Sequence, residues 1–202
     1  MIIRNAKIFD GEKFIEKDTV IVENKIIKKV LNFDELTGEE LESNEIVDIN
    51  GMTLSPGFID LQINGCGGVL FNDDISEKGL KIMNETNKKS GCTSFLPTLI
   101  TSPDEKILGA LKVLKNIVNL EEIGVLGLHI EGPYINVEKK GIHRPEYIRV
   151  LSDEIVQKIA DAGRKITRII TIAPEKAKIK HLEILRKAGI KINMGHSNAT
   201  YD

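Results

Sequence analysis

From residue 55 onward the sequence alternates short apolar runs with longer stretches in which apolar residues recur every three or four positions. The runs at 57–64, 93–100, 124–131, 167–173 and 190–195 have the length and composition of strands. The segments at 76–90, 103–118, 152–163 and 179–188 have helical periodicity, as at Leu80, Met83 and Asn87. Strands apolar on both faces are buried on both faces, which means parallel strands joined by crossover helices. The alternation predicts an α/β fold, either a (β/α)8 TIM barrel or an open doubly wound sheet. A complete barrel has eight strands in roughly 250 residues, so if the fold is a barrel it is partial: its first five strands, over residues 55–202.

Residues 1–54 obey a different rule. Strand-like segments at 1–9, 19–22, 26–31 and 46–49 are separated by the turn signals Asp10-Gly11, Glu23-Asn24-Lys25 and Asn50-Gly51, with a polar, acidic stretch at 34–45 between them. This predicts a small N-terminal β domain of β-sandwich type. The 28 basic and 30 acidic residues are spread evenly, leaving no basic face for nucleic acid or anionic lipid. The apolar start is too short for a signal-peptide core, and no run approaches membrane-spanning length. The expectation is a cytoplasmic protein acting on a small molecule. Cys66 and Cys92 lack a Cys-x-x-Cys spacing and read as reduced packing thiols.

In a (β/α)8 barrel, functional groups collect at the C-terminal ends of the strands. Gln62, Asn64, His129, Glu131 and His196 all fall at such ends. His129 and Glu131 are two residues apart on an extended chain, so they share one face, and Gly132-Pro133 ends the strand. A strand-end Glu in a salt bridge and a half-buried His are the ordinary roles for these residues taken singly. With His196 converging from another strand, a carboxylate and an imidazole together suit a borderline divalent ion such as Zn2+.

The run Pro56-Gly57-Phe58-Ile59-Asp60-Leu61-Gln62-Ile63-Asn64-Gly65-Cys66-Gly67-Gly68, followed by Phe71-Asn72-Asp73, resembles the first barrel strand of the N-acetylglucosamine-6-phosphate deacetylases, metal-dependent amidohydrolases. Pro97-Thr98-Leu99-Ile100-Thr101, His129-Ile130-Glu131-Gly132-Pro133, Lys139-Lys140-Gly141-Ile142-His143, Ala173-Pro174-Glu175 and Gly195-His196-Ser197-Asn198-Ala199-Thr200 follow in that family's order.

The resemblance implies that Glu131 and His196 are metal ligands, that Ile142 and His143 lie against the substrate, and that His143 polarises the acetamide carbonyl. Gln62 and Asn64 stand where many amidohydrolases have His-x-His, as in members with a single metal. One divalent ion, Zn2+, is therefore expected, with Gln62 hydrogen-bonding toward water on the metal and His129 a structural partner beneath Glu131. The implied activity is deacetylation of N-acetyl-D-glucosamine 6-phosphate to D-glucosamine 6-phosphate and acetate in amino-sugar catabolism, by a full-length form that is a homo-oligomer. The family's second ligand histidine and late catalytic aspartate have no counterpart in these 202 residues. The isolated chain is accordingly expected to be inactive and not to fold as a stable monomer. The alternatives are another cyclic-amide amidohydrolase, which Gln62 and Asn64 argue against, or an inactive truncated fragment that binds sugar phosphate or metal.

Overall fold

A computed structural model describes residues 1–200, and contacts divide the chain after Gly57. The first unit contains strands β1 (Ile2–Arg4), β2 (Lys7–Ile8), β3 (Thr19–Glu23), β4 (Ile26–Leu31), β5 (Ile46–Asp48) and β6 (Thr53–Leu54), with helix α1 (Gly38–Ser43) before β5. β4, β3, β1 and β5 form one sheet in that order, and β2 pairs with β6. Alternation covers both faces of β3: Ile21 packs with Ile2 and Leu31, while Val20 packs with Ala6 and Ile8. Asn24 and Lys25 both take positive φ, 50° and 65°, which is the backbone that a two-residue hairpin between β3 and β4 requires.

Two local expectations change. The strand predicted at 1–9 breaks at Asn5, whose φ is 56° and whose residue type tolerates left-handed backbone. The acidic stretch at 34–45 contains α1, held by a capping box in which Thr37 Oγ1 accepts from Glu40 N–H at 3.2 Å and the Glu40 carboxylate accepts from Thr37 N–H at 3.0 Å. α1 buries no residue, so apolar periodicity has nothing to report there.

The second unit contains β7 (Phe58–Ile63), a small hairpin of β8 (Gly65–Cys66) and β9 (Val69–Leu70), α2 (Glu77–Lys88), β10 (Cys92–Ile100), α3 (Asp104–Asn116), β11 (Leu128–Glu131), α4 (Asp153–Ala162), β12 (Thr167–Ile172), α5 (Ile179–Lys187) and β13 (Lys191–Met194). The five long strands are parallel and stand in chain order, β7-β10-β11-β12-β13. A doubly wound sheet reverses strand order at a switch point. This sheet does not reverse, so it is a segment of barrel wall.

The helices lay Leu80, Met83, Ile107, Leu114, Ile159 and Leu185 onto Phe95, Leu128, Ile130 and Ile170. Because Leu128 and Ile130 of β11 face the helices, His129 and Glu131 face the other side of the sheet, where a barrel has its interior. The third barrel strand is shorter than the predicted 124–131. Val125 makes a lone bridge to Phe95, and Gly127 interrupts the ladder at a φ of 132°. Buried His181 joins α5 to α4: its Nδ1 accepts from Lys178 N–H and its Nε2 donates to Asp153 Oδ1 at 2.6 Å. Among the described residues no helix is long and apolar enough to cross a membrane.

Candidate functional site

Glu131, the last residue of β11, is buried, and its two carboxylate oxygens serve different partners. Oε2 accepts from Gln62 Nε2 at 3.1 Å, while Oε1 lies 3.1 Å from His196 Nε2 and 3.9 Å from His143 Nε2. One ligand-type atom each from Glu131, His143 and His196 lie within 4.8 Å of one another, and the two imidazole rings are tilted with centroids 4.6 Å apart. The topology thus brings Gln62, Glu131, His143 and His196 together from strand ends and a loop far apart in sequence.

Each imidazole is oriented from behind. His196 Nδ1 donates to the Lys139 carbonyl at 2.8 Å, which leaves Nε2 facing the carboxylate. In a neutral imidazole that lone pair opposes an anionic oxygen, an arrangement relieved by a proton on Nε2 or by a cation between the two atoms. Separations of 3.1 and 3.9 Å bracket the spacing of about 3.4 Å between neighbouring ligands in a tetrahedral shell with bonds of about 2.1 Å. The donor set therefore fits a borderline divalent ion, with Glu131 and His196 as the closest pair.

His143 Nδ1 meets Thr101 Oγ1 at 2.7 Å. Burial pushes the imidazole below its ordinary pKa, which Glu131 opposes and His196 reinforces, so the ring is neutral near pH 7. With the Thr101 hydroxyl donating to Nδ1, the proton sits on Nε2 and is available for donation on the side of Glu131. Gly132 is required here. A Cβ at that position would lie 2.3 Å from Thr101 Oγ1, and its φ is 72°. The glycine of the His-x-Glu-Gly-Pro motif leaves room for the hydroxyl that orients His143.

His129 is fully buried beneath this layer, with Nδ1 3.3 Å from Thr98 Oγ1 and Nε2 2.8 Å from Thr171 Oγ1. Burial lowers its pKa, against an upward pull from Glu131 and a hydrogen bond to the Leu61 backbone. Asn64 gives its backbone carbonyl to Phe71 N–H. Ile142 is 87% exposed beside His143. A cavity of about 460 Å3, lined by Asn72, Thr101, Ser102, Lys106, Arg144 and Tyr147, adjoins the cluster through Thr101. Sequence reasoning quoted Thr98 and Thr101 within one of the family's runs but gave them no role, and it missed Thr171; their signal is a threonine at or near the end of a barrel strand. It also missed the Lys139 carbonyl, which as a backbone group leaves no signal in residue type.

Residues 53–194 match the amidohydrolase family. The chain belongs to the amidohydrolase family. It is 47% identical over 199 residues to an N-acetylglucosamine-6-phosphate deacetylase of Haemophilus influenzae, covering 98% of this chain and 51% of that protein. It is 35% identical over 149 residues to an N-acetylgalactosamine-6-phosphate deacetylase of a Shewanella species, covering 73% of this chain and 37% of the relative. The crystal structure of N-acetylglucosamine-6-phosphate deacetylase from Pasteurella multocida superposes with a TM-score of 0.90 at 44% identity, over 100% of this chain and 52% of that one. This amidohydrolase chain spans about half the length of these relatives. Amidohydrolases are metal-dependent, and the Glu131, His143 and His196 cluster is where this chain offers ligands of the right kind.

Proposed function

We propose that these residues form part of an active site that hydrolyses the acetamide of N-acetyl-D-glucosamine 6-phosphate, giving D-glucosamine 6-phosphate and acetate. The observation that carries the proposal is the approach of His196 Nε2 to Glu131 Oε1 at 3.1 Å, with the other nitrogen of the imidazole fixed by a backbone carbonyl. Glu131 and His196 hold one divalent ion, Zn2+, which when bound supplies a Lewis acid and a water of lowered pKa. Gln62 fixes the second carboxylate oxygen, so that Glu131 presents Oε1 in one orientation.

His143, neutral and locked by Thr101, donates from Nε2 to the acetamide oxygen and stabilises the charge that develops there. Ile142 lies against the sugar at the exposed edge, and the adjoining cavity has room for a small-molecule substrate. Transfer of a proton to the departing amine is assigned to none of these residues. The working protein is a soluble homo-oligomer of the cytoplasm.

The relative at 47% identity is by its name a glucosamine-type deacetylase, which supports the glucosamine epimer as the substrate to test first. The test is release of acetate by the purified full-length form from each epimer, before and after His143→Gln. The expected result is preference for the glucosamine substrate and a fall in kcat of roughly a hundredfold or more in the variant, with metal retained. Unchanged kcat, or loss of metal from the variant, removes His143 from its role.

A further inference from the structure

The segment that delivers His196 is not held by its own backbone. His196 has a φ of 51°, in the left-handed region that is unfavourable for a residue with a side chain and persists only where its surroundings fix it. Those surroundings converge on Glu175, in the turn after β12. Ser197 Oγ donates to Glu175 Oε2 at 2.7 Å, and Asn198 N–H donates to Oε1 at 2.8 Å. Asn136, from the loop after β11, donates its Nδ2 to the same Oε1 at 2.9 Å, and its own N–H donates to the His196 carbonyl at 2.9 Å. Lys139, three residues on in that loop, receives His196 Nδ1. One carboxylate thus ties the His196 loop to the loop that orients its imidazole. Desolvation pushes the Glu175 carboxyl up, but the donors from Asn198, Asn136 and Ser197 outweigh it and hold the pKa at about 2.

We propose that Glu175 is a positioning residue for the metal centre: it fixes the loop backbone so that His196 Nε2 reaches Glu131, while touching neither side chain. The proposal rests on Glu131 and His196 being the ligands of a divalent ion. It depends on hydrogen-bond geometry rather than on charge, and this makes the two obvious variants differ. A glutamine retains an oxygen for Asn198 N–H and Asn136 Nδ2, and its amide can donate to Ser197 Oγ. An alanine retains nothing.

The experiment is Zn2+ competition between the purified full-length form and a zinc-chelating dye, alongside thermal melting of the metal-free forms. Glu175→Ala is expected to weaken Zn2+ binding by roughly tenfold to a hundredfold, the range that loss of a group supporting a ligand produces, whereas Glu175→Gln stays within about threefold of wild type. A folded Glu175→Ala protein with wild-type Zn2+ affinity overturns the proposal, as does a glutamine variant as weak as the alanine one. If Glu175→Ala does not fold, Ser197→Ala decides: weaker Zn2+ binding with an unchanged metal-free melt supports the role, and unchanged binding overturns it. Failure of the wild-type protein to bind Zn2+ refutes the ligand assignment itself, a result distinct from all of these.

Discussion

Replacing His129 with alanine tests whether this histidine is architecture or chemistry. Its ring is 1% exposed and spans two strands, meeting Thr98 on β10 and Thr171 on β12. Removing a buried side chain of this size costs about 2–5 kcal/mol through lost contacts and the cavity left behind. Thr98 Oγ1 keeps a second partner in the Leu96 carbonyl, whereas Thr171 Oγ1 loses its partner at 2.8 Å, adding about 1–3 kcal/mol. Water entering this polar site recovers part of that, so the expected loss is about 4 kcal/mol. At the size of this protein that lowers Tm by about 10 °C.

There is also a pH signature. The folded-state pKa of His129 lies below its unfolded value of 6.5, so in the window between the two the unfolded chain binds more protons and stability falls as pH drops. His129→Ala removes that contribution and flattens the acid side of the stability profile below pH 6.5, with His143 and, toward pH 4, carboxylates such as Glu175 contributing the slope that remains. Urea titrations by circular dichroism from pH 4 to 8, with elemental analysis of bound metal, measure both effects. A loss under about 1 kcal/mol, or loss of metal at unchanged stability, refutes the structural role.

Three further outcomes follow from single contacts. In the full-length form, Thr101→Val removes the hydroxyl that holds His143 at 2.7 Å and is expected to lower kcat about tenfold at unchanged metal content, read by acetate release and elemental analysis. Gly132→Ala places a Cβ 2.3 Å from Thr101 Oγ1 at a φ of 72°, and a drop in denaturation midpoint equivalent to about 1–3 kcal/mol is expected. Asp153 is held at about 2 by His181, then Lys180; with its folded pKa below the ordinary 3.8, its contribution is present above pH 3.8 and lost as pH falls through about 2. Asp153→Ala should therefore lower the melting temperature at neutral pH, with the difference from wild type closing toward pH 2 in melts across that range.

The alternation from residue 55 was legible because strands buried on both faces and helices buried on one leave different periods, and those periods survive without knowledge of the partner. The alternation alone left barrel wall and doubly wound sheet open, since that depends on which strands pair; the family resemblance pointed to the barrel, and the strand order agrees. α1 escaped notice although Thr37 and Glu40 spell a capping box, because that helix has no apolar face. At the site, Glu131 and His196 stood out as ligand-type residues at strand ends. Thr98, Thr101 and Thr171 did not, since a threonine on a strand is ordinary for its β propensity alone. The turn that lets Lys139 hold His196 through its carbonyl exists only in three dimensions.

The pairing of Glu131 with His196 around one divalent ion is tested most directly by counting metal in the purified full-length form and its variants after exhaustive dialysis. About one equivalent per chain is expected, most of it lost in Glu131→Ala and in His196→Ala and retained in His143→Gln. Two tightly held ions per chain, or full retention in Glu131→Ala, would contradict it.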